Sequence, residues 1–105
     1  MLRTITFQER LTILFFCPDH DDYETMKTTL PLALKLSITE KEEKEFTVKN
    51  KKSGGFGLTE AGQVATSEIE FTEDEEKFIK NRLVALNEGR NLNASHMSLY
   101  EKFVL

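Results

Sequence analysis

The chain has 105 residues, 39% of them hydrophobic and 30% charged, with eight Phe, two Tyr, no Trp and one Cys. That composition describes a single folded domain, 1–105, and excludes a disordered chain, a collagen-like repeat and an internal disulfide framework. Fourteen basic against eighteen acidic residues leave a net charge of −4, so no basic surface should dominate.

One local pattern recurs. Thr or Asp is followed three residues later by Glu, at Thr6/Glu9, Asp21/Glu24, Thr39/Glu42 and Thr72/Glu75. This is the capping box, in which the short side chain accepts from a first-turn amide and the Glu reaches back to the cap's own N–H. The first box predicts a helix over 7–16, with Phe7, Leu11, Leu14 and Phe15 on one face and Pro18 forcing the stop. Ile13 and Phe16 then spread apolar surface around the cylinder. The second helix should run from the Asp19-His20-Asp21-Asp22 turn to 36, with Tyr23, Met26, Leu30, Ala33 and Leu34 as its stripe and a kink or break at Pro31. A short charged helix over 40–45 should be anchored by Ile38 and Phe46.

Residues 46–71 read differently. Phe46-Thr47-Val48-Lys49 and Glu68-Ile69-Glu70-Phe71 alternate like strands, and 50–55 has loop chemistry with two glycines. The two strands predict a two- or three-stranded antiparallel sheet from 46–71. A long helix over 73–88 follows, capped by Thr72, with Ile79, Leu83 and Leu86 buried, Phe78 alongside and Gly89 ending it in the left-handed conformation. The last helix, 94–103, is capped by Asn93. It should carry Met97, Tyr100 and Val104 on one edge and Leu99 and Phe103 on the next. No internal repeat is visible. The expected fold is therefore α+β, mostly helical, with four to five helices.

The chemistry-bearing residues do not assemble into a recognisable motif. Counted as a calcium loop from Asp19, the acidic turn puts Glu24 where Gly is needed and Leu30 where Glu is needed. Cys17, His20 and His96 have no zinc-ligand spacing, and nothing electropositive lies beside Cys17 to activate it. Gly54-Gly55-Phe56-Gly57 lacks the Gly-Lys-Ser/Thr of a phosphate loop. No catalytic residue, metal or cofactor is therefore expected. Lys49, Lys51, Lys52 and Phe56 form a small basic tip with an aromatic, enough at most for weak, salt-sensitive nucleic-acid binding. Acidic runs at 40–45 and 68–76 are interleaved with Lys41, Lys44 and Lys77, which argues against mimicry of nucleic acid.

The longest unbroken apolar run, 13–17, is far short of the roughly 20 residues of a spanning helix. The first residues lack the basic and apolar regions of a secretory signal. A soluble, cytoplasmic protein is expected.

Leu86-Asn87-Glu88-Gly89-Arg90-Asn91-Leu92 and His96-Met97-Ser98-Leu99-Tyr100-Glu101-Lys102-Phe103-Val104 resemble the ending of a group of small phage and prophage proteins. Glu9-Arg10-Leu11, the 36–40 stretch and Glu68-Ile69-Glu70 are similar as well, while the Gly-rich 53–57 region departs where a tryptophan-bearing strand would be expected. The resemblance implies a mobile-element origin and the host cytoplasm, and it brings no catalytic residues. The expected function is a non-enzymatic protein that binds another protein or itself as a homodimer. Phe7, Leu11, Ile13 and Phe16 of the first helix are the candidate contact residues, because that helix carries more apolar surface than one core face requires. An inhibitor of a host immune protein (an anti-defence role) is the alternative reading.

Overall fold

Leu2-Arg3-Thr4-Ile5-Thr6 holds three β-branched residues in succession, and in a computed structural model of the chain, which describes residues 1–49 and 56–105, it forms the strand β1 (Leu2–Thr6). The strand runs directly into α1 (Phe7–Phe16), with Thr6 as the cap. There follow α2 (Tyr23–Leu36), α3 (Glu40–Phe46), β2 (Thr47–Lys49), β3 (Phe56–Leu58), α4 (Glu60–Val64), β4 (Thr66–Glu70), α5 (Glu73–Glu88) and α6 (Ala94–Phe103). The fold is α+β and mostly helical.

The capping boxes at Thr6/Glu9, Thr39/Glu42 and Thr72/Glu75 all form, so α1, α3 and α5 begin where the sequence places them. The cap of α2 is Asp22 rather than Asp21: its carboxylate accepts from the Thr25 amide at 2.8 Å. A further box closes α6, with His96 at the position Glu usually takes and its Nδ1 accepting from the Asn93 amide at 3.1 Å. Pro31 leaves α2 continuous through Leu36.

The sheet expected from 46–71 divides into two ribbons. β4 pairs with β1, Leu2 opposite Glu70 and Thr6 opposite Thr66, while β2 pairs with β3, Thr47 opposite Leu58. The ladder forms between β4 and β1 because β1 carries Ile5 into the core, where it is fully buried. The stretch 56–66, for which the sequence pattern predicts no element, contains the short helix α4. Gly62 is required there, since a Cβ would lie 2.2 Å from the Phe46 carbonyl oxygen.

α5 ends at Gly89, but the left-handed residue is Arg90, at φ 58°. The Arg90 amide donates to the Asn87 carbonyl and the Asn91 amide to the Leu86 carbonyl, the two bonds of a Schellman motif with its left-handed position shifted one residue past the glycine.

The core comprises Ile5, Ile13, Phe16, Leu32, Leu36, Phe71, Ile79, Leu83, Leu99 and Phe103. Two helices present other faces than expected. In α1, Ile13 and Phe16 are core residues and Phe15 is exposed. In α2 the buried positions are Thr29, Leu32 and Leu36, whereas Tyr23, Leu30 and Leu34 face outward. In α6 Met97 is also exposed, and Leu99 and Phe103 are buried.

Candidate functional site

The candidate contact residues on α1 do not form a surface. Phe7, Ile13 and Phe16 are buried and Leu11 is half-buried, which corrects the expectation that they offer free apolar area. The Phe7 ring meets Phe46 edge-on at 5.2 Å, and Phe16 lies 5.8 Å from the His96 ring. The helix is surrounded because α2, α4 and α6 all pack on it. What remains free is Phe15, 81% exposed. It stands at a groove of about 550 Å³ bounded by Leu11 and Phe16 of α1, Leu58 of β3, and Asn93 and His96 at the start of α6.

The larger apolar face lies on α2. At about 100° per residue, Tyr23, Leu30 and Leu34 fall within roughly 40° of arc, and Leu32 and Leu36 lie on the opposite side of the cylinder. Tyr23 is 75%, Leu30 56% and Leu34 77% exposed. Lys27 falls in the same outward stripe. The helix is therefore apolar on two opposed faces, and only one is covered. The stripe expected from the periodicity, which includes Tyr23, Leu30 and Leu34, is thus the outward one, and the buried stripe is Thr29, Leu32 and Leu36.

Charged side chains are used to hold the elements together. Arg3 grips Glu76 through two bonds of 2.6 and 2.7 Å, donates to the Lys102 carbonyl and stacks its guanidinium 4.4 Å from the Phe103 ring. The hydrogen bonds and charge of Glu76 raise the Arg3 pKa. Arg10 is buried on α1 and donates to Glu42 and to the Ser37 carbonyl, fastening the end of α2 and the start of α3. It also holds the Glu42 carboxyl below its ordinary value.

The box glutamates Glu9 and Glu75 are buried as well, and each meets a lysine from a distant helix: Lys102 at 2.6 Å and Lys35 at 2.5 Å. Burial would raise the Glu9 pKa. The Lys102 ammonium, the Thr6 amide and the Ser98 hydroxyl outweigh it, and the net shift is downward. Glu42, Glu75 and Glu76 are thus internal ion-pair partners, which removes them from the acidic clusters read in the sequence.

The remaining candidates are dispersed. Cys17 is half-buried and its thiol lies 3.6 Å from the Ile13 carbonyl. Burial, with Glu75 nearby, pushes its pKa up, the opposite of an activated nucleophile. The acidic turn serves α2 through Asp22. Among the described residues, no group of three His, Cys, Asp or Glu side chains is placed to hold a metal ion, and no helix is long and apolar enough to cross a membrane. Lys51 and Lys52 of the basic tip lie outside the described residues, and Lys49 and Phe56 are the backbone pair at the end of the β2–β3 ribbon.

Comparison with family models, curated proteins and solved structures finds no match to this chain.

Proposed function

We propose that this chain is a non-enzymatic binding protein that engages another protein through the outward face of α2. The observation that carries the reading is the exposure of Tyr23, Leu30 and Leu34 in one stripe opposite the buried face of the same helix. A helix needs one apolar face to join a core. A second apolar face does nothing for the folded monomer and leaves hydrocarbon in water, which is the usual signature of a contact surface. The C-terminal resemblance extends this reading to a mobile-element protein acting in a host cell.

The test places a photo-crosslinking amino acid at Leu34, and separately at Asn81 on the exposed side of α5, in the full chain expressed in cells. A discrete adduct from position 34 that is missing from position 81 supports the reading. Equal labelling from both positions, or none from position 34, overturns it. The mass of the adduct separates a second copy of this chain from a different protein.

A further inference from the structure

β1 leads into α1 through Thr6 just as β4 leads, two residues on, into α5 through Thr72. In each case the residue before the cap, Ile5 or Phe71, is buried, the box glutamate, Glu9 or Glu75, is buried, and an isoleucine one turn further, Ile13 or Ile79, is fully buried. The correspondence continues into the next helix of each half. Leu32, Lys35 and Leu36 of α2 occupy the places of Leu99, Lys102 and Phe103 of α6, with the four apolar residues all in the core.

The contacts between the halves are reciprocal. Lys102 donates to Glu9 and to the Thr4 carbonyl, while Lys35 donates to Glu75 and to the Glu70 carbonyl. Thr4 and Glu70 are each two residues before their cap. The ribbon bonds Phe71 N–H to the Met1 carbonyl and Phe7 N–H to the Ala65 carbonyl, so odd-numbered residues face across the ladder and the carbonyls of Thr4 and Glu70 point to its outer edges. Each lysine therefore closes one free edge of the two-stranded sheet while neutralising the buried carboxylate of the other half. The register itself sets Arg3 opposite Ile69, which are corresponding residues, and that is the condition for a two-fold axis passing between them.

We infer that residues 2–36 and 68–103 are two copies of one strand-helix-helix unit, closed on each other about an approximate two-fold axis by exchanged lysines, with 37–67 inserted between them. Identity survives at Thr6/Thr72, Glu9/Glu75, Ile13/Ile79, Leu32/Leu99 and Lys35/Lys102, the positions that cap, fill the centre or tie the halves. It is lost on the outside, where Leu34 corresponds to Glu101, and at two core pairs, Ile5/Phe71 and Leu36/Phe103. The partner surface a lone unit would need is supplied within the same chain.

The axis makes a prediction about the core. Phe71 and Phe103 form an edge-to-face pair at 5.5 Å in one half. Ile5 and Leu36 are the corresponding positions in the other. In the full chain, three variants are compared by thermal melting: Ile5→Phe with Leu36→Phe, Phe71→Ile with Phe103→Leu, and all four together. The first overpacks one side and the second empties the other, each lowering the melting temperature by about 10 °C. The fourfold variant moves the aromatic pair to the symmetry-related place, and it should melt above both half variants, within about 5 °C of the parent chain. A fourfold variant that melts at or below the lower half variant overturns the inference. If neither half variant folds, folding of the fourfold variant carries the inference and its failure to fold overturns it.

Discussion

Lys102 and Glu9 are 93 positions apart in the chain and their charged atoms are 2.6 Å apart in the fold. The contact joins the last turn of α6 to the first turn of α1. Because Glu9 also accepts from the Thr6 amide at 2.9 Å, one carboxylate fixes a helix start and an interhelical contact together.

Replacing Lys102 by Met should therefore cost more than a surface ion pair. Removing one partner of a buried pair strands the other charge, and with Lys102 partly in contact with water the loss is about 2–3 kcal/mol. Lys35→Met should cost a similar amount through Glu75. Urea unfolding of both variants is the measurement, and a loss below about 0.5 kcal/mol, the scale of an ordinary surface substitution, would show the pairs to be incidental.

Acid should weaken the fold through Glu9 and Glu42. Both carboxyls are held below their ordinary value when folded, Glu9 by partners that outweigh its burial and Glu42 chiefly by Arg10. The unfolded chain then takes up protons first as the pH falls, so their contribution is complete above the ordinary carboxylate range and disappears as the pH drops through the folded values. Melting temperature should be flat near neutrality and decline below about pH 5. Glu9→Gln should flatten that decline, and an unchanged acid slope would exclude Glu9 as a contributor.

Arg90 holds a left-handed conformation next to a glycine that does not. Since that conformation costs a non-glycine residue roughly 1–2 kcal/mol, Arg90→Gly should raise stability by about 1 kcal/mol. The urea midpoint should rise with an unchanged slope. A lower midpoint would mean that the Arg90 side chain contributes more than its backbone strain costs.

Two apolar residues of neighbouring helices should respond in opposite ways to a charge. Phe16→Asp places a carboxylate in the core and should unfold the chain, whereas Leu34→Glu lies in solvent and should change stability by about 0.5 kcal/mol or less. Circular dichroism melts of the two variants distinguish them, and a folded, stable Phe16→Asp protein would contradict the burial of α1.

Local chemistry placed most of the helices. Thr6, Thr39, Thr72 and Asn93 mark helix starts because a cap acts within three or four residues, and Pro18 acts on the residue beside it. The strand at 2–6 was not legible, because its two apolar residues, Leu2 and Ile5, do not alternate, and its partner was not legible either. Ladder pairing between 2–6 and 66–70 brings together segments separated by most of the chain, and no short-range signal selects that partner over the nearer 46–49.

The apolar faces were harder. Leu30 and Leu34 repeat with helical spacing, and so do Leu32 and Leu36. Periodicity detects both stripes and cannot rank them, because the choice is made by which side of α2 meets α1 and α5. For the same reason the sequence predicted a contact surface on α1, where three of the four residues are covered, and not on α2, where the stripe is bare.

The sequence by itself determined the α+β class, the helix starts at the three Thr boxes and the ends of α1 and α6, since those depend on interactions a few residues long. Tertiary structure alone decided which apolar stripes are buried, that Glu9 and Glu75 are interior, and that two strand-helix-helix units face each other. Those outcomes depend on charges and hydrocarbon brought together from opposite ends of the chain, where the free energy of burial is shared among residues that no local pattern connects.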